Sequence, residues 1–280
     1  MRIVDAHHHL WDLSVRDQAW ITGRELTPLR RNFTLEDLTP ELRAAHVRAT
    51  VVVQTVTVAE ETPELLRLAA GGGAVAGVVG WTDLASPQIA DRIEGLRELP
   101  GGGKLAGIRH QVQHEPDPEW LVRPDVLRGL RALAEAGLAY DLVIRPHQLR
   151  AAYEAAAAVP ALTFVLDHLA KPPVAAGELE PWARAVRAFA TLPNTACKLS
   201  GLVTEAAWDT WSIEDLRPYA DTVVRAFGPD RVMFGSDWPV CLLAASYPEV
   251  VGAAWALTEG LGTGGREAVF SATATRIYGL

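Results

Sequence analysis

The chain has 280 residues, 49% of them hydrophobic, and a formal net charge of −8. This length can bury a large core, and α/β barrels of this size commonly form one domain. The negative charge argues against nucleic acid and anionic membrane surfaces as partners, because neither would attract an acidic protein.

The first element is a short strand that runs into three consecutive histidines within the sequence MRIVDAHHHLWD. Side chains alternate between the two faces of an extended strand, so Asp5, His7 and His9 share one face and His8 lies on the other. Two imidazoles at positions i and i+2 can reach one cation about 2 Å from each nitrogen. Taken alone, this pattern fits a metal site and an ordinary polar strand end equally well.

Apolar strand-like runs then alternate with helical patterns along the chain. The eight strand candidates are residues 3–7, 50–54, 75–81, 105–111, 138–144, 163–168, 195–200 and 231–235. The helix candidates between them are residues 63–70, 88–99, 125–136, 149–158, 181–190 and 213–227. Short apolar strands that alternate with helices are typical of a parallel sheet buried on both faces. Eight such units predict an α/β fold, a (β/α)8 TIM barrel.

The connections complete this interpretation. We expect a single domain over residues 1–280, with an insertion at about 10–48 after the first strand. The glycine-rich stretches 71–73 and 101–103 follow helix candidates. They are therefore read as turns into the next strand, since a phosphate-binding glycine loop would follow a strand.

A TIM barrel places its active site at the carboxyl ends of the strands. Seven of the eight histidines lie at or just beyond the predicted strand ends, and His46 is the exception. The polar groups at these ends, in chain order, are His7, His9, Arg109, His110, Gln111, Gln113, His114, Arg145, His147, Asp167, His168, Lys171, Lys198 and Asp237. This clustering is far more specific than the paired histidines alone.

Two features bear on the cellular compartment. The only cysteines, Cys197 and Cys241, are far apart in sequence. Apolar stretches are interrupted within about a dozen residues, too short for the roughly 20 that a membrane helix needs. With a chain that starts directly in a strand, these features lead us to expect a cytoplasmic protein.

Five segments in chain order carry a family resemblance: DAHHHLW, GIRHQVQHEPDPEWL, FVLDHLAKP, CKLSGL and DRVMFGSDWPV. They resemble the amidohydrolase superfamily. More narrowly, they are similar to its amidohydrolase-2 group, which contains sugar-acid lactonases such as L-fuconolactonase and L-rhamnonolactonase and the related pyrone dicarboxylate lactonase. The resemblance implies a (β/α)8 barrel that hydrolyses a ring ester of a small-molecule lactone, commonly in carbohydrate catabolism.

The resemblance also implies a candidate metal site. His7 and His9 match the histidine pair of the first strand, His168 matches the histidine of the sixth, and Asp237 matches the aspartate of the eighth. The fourth strand ends in Arg109 and His110, where many superfamily members carry a metal-bridging lysine or carboxylate, so a two-metal centre is not expected. One divalent ion, zinc or manganese, bound by the four matched residues and metal-independent catalysis both stay open.

Roles follow from the chemistry of lactone opening. Asp237 is the predicted general base. Without a metal, Arg109 and either a protonated His168 or the imidazoles of the first strand would stabilise the oxyanion. Arg109 has a structural alternative, because Asp141 or Asp167 could pair with it. The candidate substrate-binding residues are Gln54, Gln113, His114, Lys198 and Trp238.

Three functions remain open at this point: a sugar lactonase, a metal-dependent decarboxylase of an unsaturated carboxylic acid, and a non-catalytic barrel that serves as a binding module. A decarboxylase would require a histidine on the fifth strand, and the nearest one, His147, follows Arg145 and Pro146. The presence of Asp237 argues against a barrel that has lost catalysis. The sequence determines neither the substrate nor the oligomeric state.

Overall fold

The structure is a computed structural model that describes residues 2–280. Eight strands form one sheet in which sequence neighbours pair in parallel, in the order β1 to β8. The strands are β1 (Ile3–His8), β2 (Val47–Val53), β3 (Val75–Gly80), β4 (Leu105–His110), β5 (Ala139–Leu142), β6 (Phe164–Leu166), β7 (Thr195–Leu199) and β8 (Val232–Phe234). The predicted (β/α)8 barrel is confirmed.

The first and last strands meet just beyond β8. His8 and Trp238 form a parallel bridge. The buried carboxylate of Asp5 accepts a hydrogen bond from the Ser236 backbone N–H at 2.8 Å and another from the Tyr247 hydroxyl at 3.0 Å. These contacts close the barrel where the β8 ladder has already ended.

Helices surround the strands. They are α1 (Leu35–Ala44), α2 (Glu61–Ala70), α3 (Ile89–Glu98), α4 (Pro124–Glu135), α5 (Leu149–Ala158), α6 (Trp182–Ala190), α7 (Leu202–Glu205), α8 (Ile213–Phe227), α9 (Tyr247–Leu257), α10 (Gly262–Glu267) and α11 (Thr273–Tyr278). The six predicted helices are present with ends within two residues. Five were not predicted, namely α1, α7, α9, α10 and α11. Both glycine-rich stretches lie between a helix and a strand, as expected.

The sixth strand is shorter than predicted, and this changes how the site is built. It ends at Leu166, so Asp167 and His168 lie beyond the sheet. Four consecutive residues, His168 to Lys171, have positive φ angles of 51° to 58°. This left-handed conformation costs roughly 1–2 kcal/mol per non-glycine residue. The prediction of a strand through His168 was therefore wrong.

Two apolar layers bury the interior. An outer layer packs between the strands and the helices. An inner layer fills the barrel, where Ala274 and Tyr278 of α11 pack against inward-facing strand residues such as Val4, Val51 and Met233. The carboxyl-terminal helix thus forms part of the barrel floor. Within residues 2–280, no helix has the length and apolar character to cross a membrane.

Candidate active site

A solvent-open cavity of about 170 Å³ lies at the carboxyl ends of the strands. The lining residues are His9, Trp20, Thr55, Arg109, Gln111, Gln113, His114, Val143, His168, Lys171, Asp237 and Val240. Within the described chain, Asp237 is the one carboxylate of this lining, beside the cationic Arg109 and Lys171.

Three imidazoles surround the carboxylate of Asp237. Its Oδ1 atom lies 3.5 Å from His9 Nε2, 3.7 Å from His7 Nε2 and 3.8 Å from His168 Nε2. His7 Nε2 and His9 Nε2 are 3.1 Å apart. Ligand atoms of His7, His168 and Asp237 all lie within 4.8 Å of one another. Such separations suit groups that share one cation about 2 Å from each of them.

Contacts of the Nδ1 atoms orient two of these imidazole rings. The Nδ1–H of His9 donates to the Val53 carbonyl at 2.8 Å, which turns its Nε2 toward the site. His168 Nδ1 is 2.9 Å from the Ser200 hydroxyl. Gly201 makes room for the His168 ring, because a Cβ atom at Gly201 would lie 2.6 Å from that Nδ1. Partners of this kind fix the orientation of metal-binding histidines.

Burial and charge set the ionisation of these groups. Burial would raise the pKa of Asp237, but the imidazoles of His168, His9 and His7 outweigh it and hold that pKa below its usual range. Burial lowers the pKa of His168 to about 4 and that of His7 well below its ordinary value. At neutral pH the site therefore holds a carboxylate beside neutral His7 and His168, which offer lone pairs and not positive charge. Burial thus works against the protonated His168 that catalysis without a metal would use.

Arg109 both lines the cavity and forms a structural ion pair, the two roles that its sequence position allowed. Its Nη1 donates to Asp167 Oδ2 at 3.0 Å, and its Nη2 donates to Gln54 Oε1 at 3.0 Å. The guanidinium is only 3% exposed, yet it lines the cavity. The pair with Asp167 fixes the guanidinium in place beside His7, whose Nε2 is 3.3 Å from Nη1.

Three residues predicted to bind substrate lie behind the cavity wall. Gln54 is fully buried, and its side-chain oxygen accepts a hydrogen bond from Arg109. Lys198 is fully buried beneath His7 and pairs with Asp141. Trp238 is 3% exposed, and its ring packs edge-on against Phe33 at 5.4 Å. The prediction that these three residues contact a substrate directly is therefore corrected. Gln113 and His114 do line the cavity.

The remaining histidines of the strand ends lie outside the site. His110 points away from Arg109, as alternation predicts, and its ring stacks on Trp120 at 4.3 Å. His147 is exposed in a short 3-10 turn after β5. His8 is buried on the other face of β1, where its Nε2 is 3.0 Å from the Thr50 hydroxyl.

Sequence reasoning did not assign four polar or aromatic lining residues, which are Trp20, Thr55, Gln111 and Lys171. The strand-end rule did list Gln111 and Lys171 among the polar groups of this end, without a role, and it would also have found Thr55, which follows β2. Trp20 lies in the long segment between β1 and β2, where no periodic pattern predicts its position. Trp11, which follows the histidine run, is buried, and its ring packs against Phe33 and Trp20.

Comparison with known proteins gives a consistent result. The family model described as "Amidohydrolase" matches residues 4–280. An L-fucono-1,5-lactonase of Burkholderia multivorans is 39% identical over 99% of this chain and 96% of its own length. One from Burkholderia ambifaria is 38% identical over 98% and 94%. A crystal structure of an amidohydrolase from Burkholderia multivorans with bound zinc superposes with a TM-score of 0.92 at 39% identity, covering 100% of both chains.

Proposed function

Because the chain belongs to the amidohydrolase family, we propose that it is a hydrolase that opens the cyclic ester of a sugar-acid lactone. One structural observation carries this proposal: an ionised carboxylate, Asp237, stands among three imidazoles on the wall of a polar cavity. L-Fucono-1,5-lactone is the first substrate to test, since the relatives of 38–39% identity are named for it.

The donor set fits one divalent cation. His7, His9, His168 and Asp237 would hold it, because their donor atoms converge and His9 and His168 are oriented by other contacts. When bound, a zinc or manganese ion supplies Lewis-acid polarisation and lowers the pKa of water. We expect one metal ion and not two, since β4 ends in Arg109, where many superfamily members carry a bridging ligand.

Asp237 handles the proton. Water adds to the lactone carbonyl carbon as the Asp237 carboxylate accepts one of its protons. The ring carbon–oxygen bond then breaks, and the same proton passes to the leaving oxygen. One water is consumed and one hydroxy acid is formed. Because its pKa is lowered, Asp237 stays ionised and able to accept a proton over a wide pH range, although the same shift makes it a weaker base.

The cations of the cavity act on the oxygen that becomes negative. Arg109 is fixed by Asp167 and Gln54, so its guanidinium needs little reorganisation during the reaction. Preorganised donors of this kind commonly provide the largest stabilisation of an oxyanion. Lys171 adds a second positive charge at the same cavity.

Neither alternative is favoured. A metal-dependent decarboxylase would use a histidine of the fifth strand, but His147 is exposed and does not join the cavity lining. A binding module without catalysis has no need for a buried carboxylate held ionised among imidazoles.

The test is hydrolysis of a panel of aldonolactones, followed with a pH indicator against the spontaneous rate. Asp237→Asn should lower kcat by about 10²–10⁴, the usual contribution of a general base. Asp83→Asn is the matched control, because Asp83 follows β3 at the same end of the barrel without lining the cavity. Turnover of no lactone, or an Asp237→Asn variant as active as the wild type, would refute the proposal.

A further inference from the structure

His110, the last residue of β4, has a hydrogen-bond partner on each ring nitrogen. The Nε1–H of Trp81, which can only donate, lies 3.0 Å from His110 Nδ1. On the other side of the ring, His110 Nε2 lies 2.7 Å from the carboxylate oxygen Oε1 of Glu115. An ionised carboxylate only accepts, so the ring accepts at Nδ1 and donates at Nε2, and its two partners determine the tautomer.

Burial favours the same state of the ring. The His110 side chain is only 13% exposed, and burial lowers its pKa although Glu115 and Asp83 oppose the shift. A protonated ring would also direct a second N–H at the N–H of Trp81. At neutral pH, His110 therefore connects Trp81, which directly follows β3, to Glu115.

The same ring contacts the far end of the segment that follows β4. This segment, residues 111–120, is called the β4 loop below. Trp120 is buried at its end, and its ring stacks on His110 with centroids 4.3 Å apart and planes inclined by 8°. Because Glu115 lies in the middle of the β4 loop, His110 holds this loop at two points.

The β4 loop carries three residues of the cavity lining, Gln111, Gln113 and His114. Gln111 is tied to the neighbouring strand end, because its amide donates to the Thr55 carbonyl at 2.6 Å. The side-chain hydrogen bonds of His114 within residues 2–280 are instead with Gln111 and Gln113 of its own loop, at 3.2 and 3.3 Å. The position of the His114 ring in the cavity therefore depends on what holds the loop.

Contacts from the β5 side hold only the beginning of the loop. The Gln113 N–H donates to the Val143 carbonyl at 3.1 Å, and the Gln148 amide donates to the Val112 carbonyl at 2.8 Å. The next side chain along the chain that ties the loop to the barrel is Glu115, directly after His114.

We propose that His110 is a positioning residue for substrate binding, which acts through Glu115 and Trp120 to hold His114 at the cavity wall. The hydroxyl groups of a sugar-acid lactone are the ligands that an imidazole there would contact. Asp237 and the imidazoles around it belong to other strand ends, so release of the loop should weaken binding and leave the chemical step unchanged. This consequence for binding rests on the proposed lactonase function.

Steady-state kinetics of Glu115→Ala on the preferred lactone test the effect on binding. We expect KM to rise roughly 3- to 10-fold, about the contribution of one hydrogen bond, with kcat within about twofold of the wild type. Glu115→Gln keeps an acceptor for His110 Nε2–H, so its KM should stay within about twofold of the wild type. Glu119→Ala is the matched control, because Glu119 lies in the same loop but pairs with Arg150 at the protein surface. An unchanged KM in Glu115→Ala, or an equal rise in Glu115→Gln or Glu119→Ala, would overturn the proposal.

Proton–nitrogen correlation spectra of protein labelled with ¹⁵N-histidine test the positioning without any substrate. They report which ring nitrogen carries a proton, and His110 and His114 are identified by the signals lost in His110→Gln and His114→Gln. In the wild type, His110 should carry its proton at Nε2 alone, and any other state would overturn the proposal. The His114 ring signals should differ between Glu115→Ala and Glu115→Gln, because only the alanine variant releases the loop; identical signals would contradict the positioning role.

The spectra separate this proposal from the lactonase proposal. A protein that gives the expected spectra but opens no lactone would refute the lactonase function and leave the positioning of His114 by His110 intact. A lactonase whose Glu115→Ala variant keeps the wild-type KM and His114 signals would refute the positioning alone.

Discussion

Lys171 illustrates how a single residue connects the cavity to the chemistry of its ligand. Its side chain lines the cavity, its ammonium pairs with Glu205 at 2.9 Å, and both side chains are about one quarter exposed. A lactone carries many oxygens, and its hydrolysis product is an anion. A positive charge at the rim thus suits substrate and product, while Glu205 restrains the ammonium in place.

Lys171→Met should lower kcat/KM by about 10- to 100-fold, because a hydrogen bond to a charged group contributes roughly 1.5–3 kcal/mol. The melting temperature should change little, since partly exposed ion pairs contribute about 0–1 kcal/mol. Steady-state kinetics on the preferred lactone check this. Glu205→Gln is the control: it keeps the ammonium and should cost under about threefold. Equal losses in both variants would mean that the pair acts as a structural unit only.

At the level of elements, the irregular connections after the strands, and not the strands themselves, position the His168 side chain. His168 stands in a left-handed turn after β6, and the ring is accommodated by Gly201 at the start of α7. Gly201 itself has a φ angle of 65°. The strained segment after β6 and the glycine after β7 therefore depend on each other, and strain of this kind is concentrated at functional sites.

Gly201→Ala should displace the His168 imidazole, because the added Cβ would lie 2.6 Å from Nδ1. We expect kcat/KM to fall by about 10²-fold, the effect of a displacement of around 1 Å. Gly177→Ala is a matched control: Gly177 has a φ angle of 66°, but a Cβ there meets nothing within 4 Å. Both variants should lose about 1–2 kcal/mol of stability from the left-handed backbone. Similar activity in the two variants would show that the contact with His168 is unimportant.

For the whole molecule, the features that can be predicted from the sequence are those that a local pattern of residues encodes. Alternating strand and helix patterns predict the barrel, and the barrel rule brings His7, His9, His168 and Asp237 together before any coordinates are known. The rule gives the end of the barrel at which a residue lies but not its depth. Gln54 and Lys198 were therefore assigned to substrate although they are buried under the site.

The long β1–β2 segment shows the other limit. Its fold depends on tertiary contacts such as the edge-on packing of Trp11 against Trp20 at 5.8 Å, which no periodicity encodes. Trp20 consequently reaches the cavity without any sequence signal. Helix α1 lies in the same segment and contains Pro40, and proline inside a segment argues against a helix.

Cation binding should be measurable as stability of the entire fold, independently of turnover. A ligand that binds only the folded state at 100 times its Kd adds about 2.7 kcal/mol to the free energy of unfolding. For a chain of this size each kcal/mol corresponds to roughly 2–4 °C, so zinc should raise the melting temperature of chelator-treated protein by about 5–10 °C. Differential scanning calorimetry in zinc-free and zinc-containing buffer measures this rise.

The variant His9→Gln should abolish most of the rise by removing a ligand, whereas His46→Asn, at an exposed histidine outside the site, should retain it. An equal rise in all three proteins would assign the stabilisation to a zinc site other than the one at Asp237, and no rise in the wild type would favour catalysis by the side chains alone.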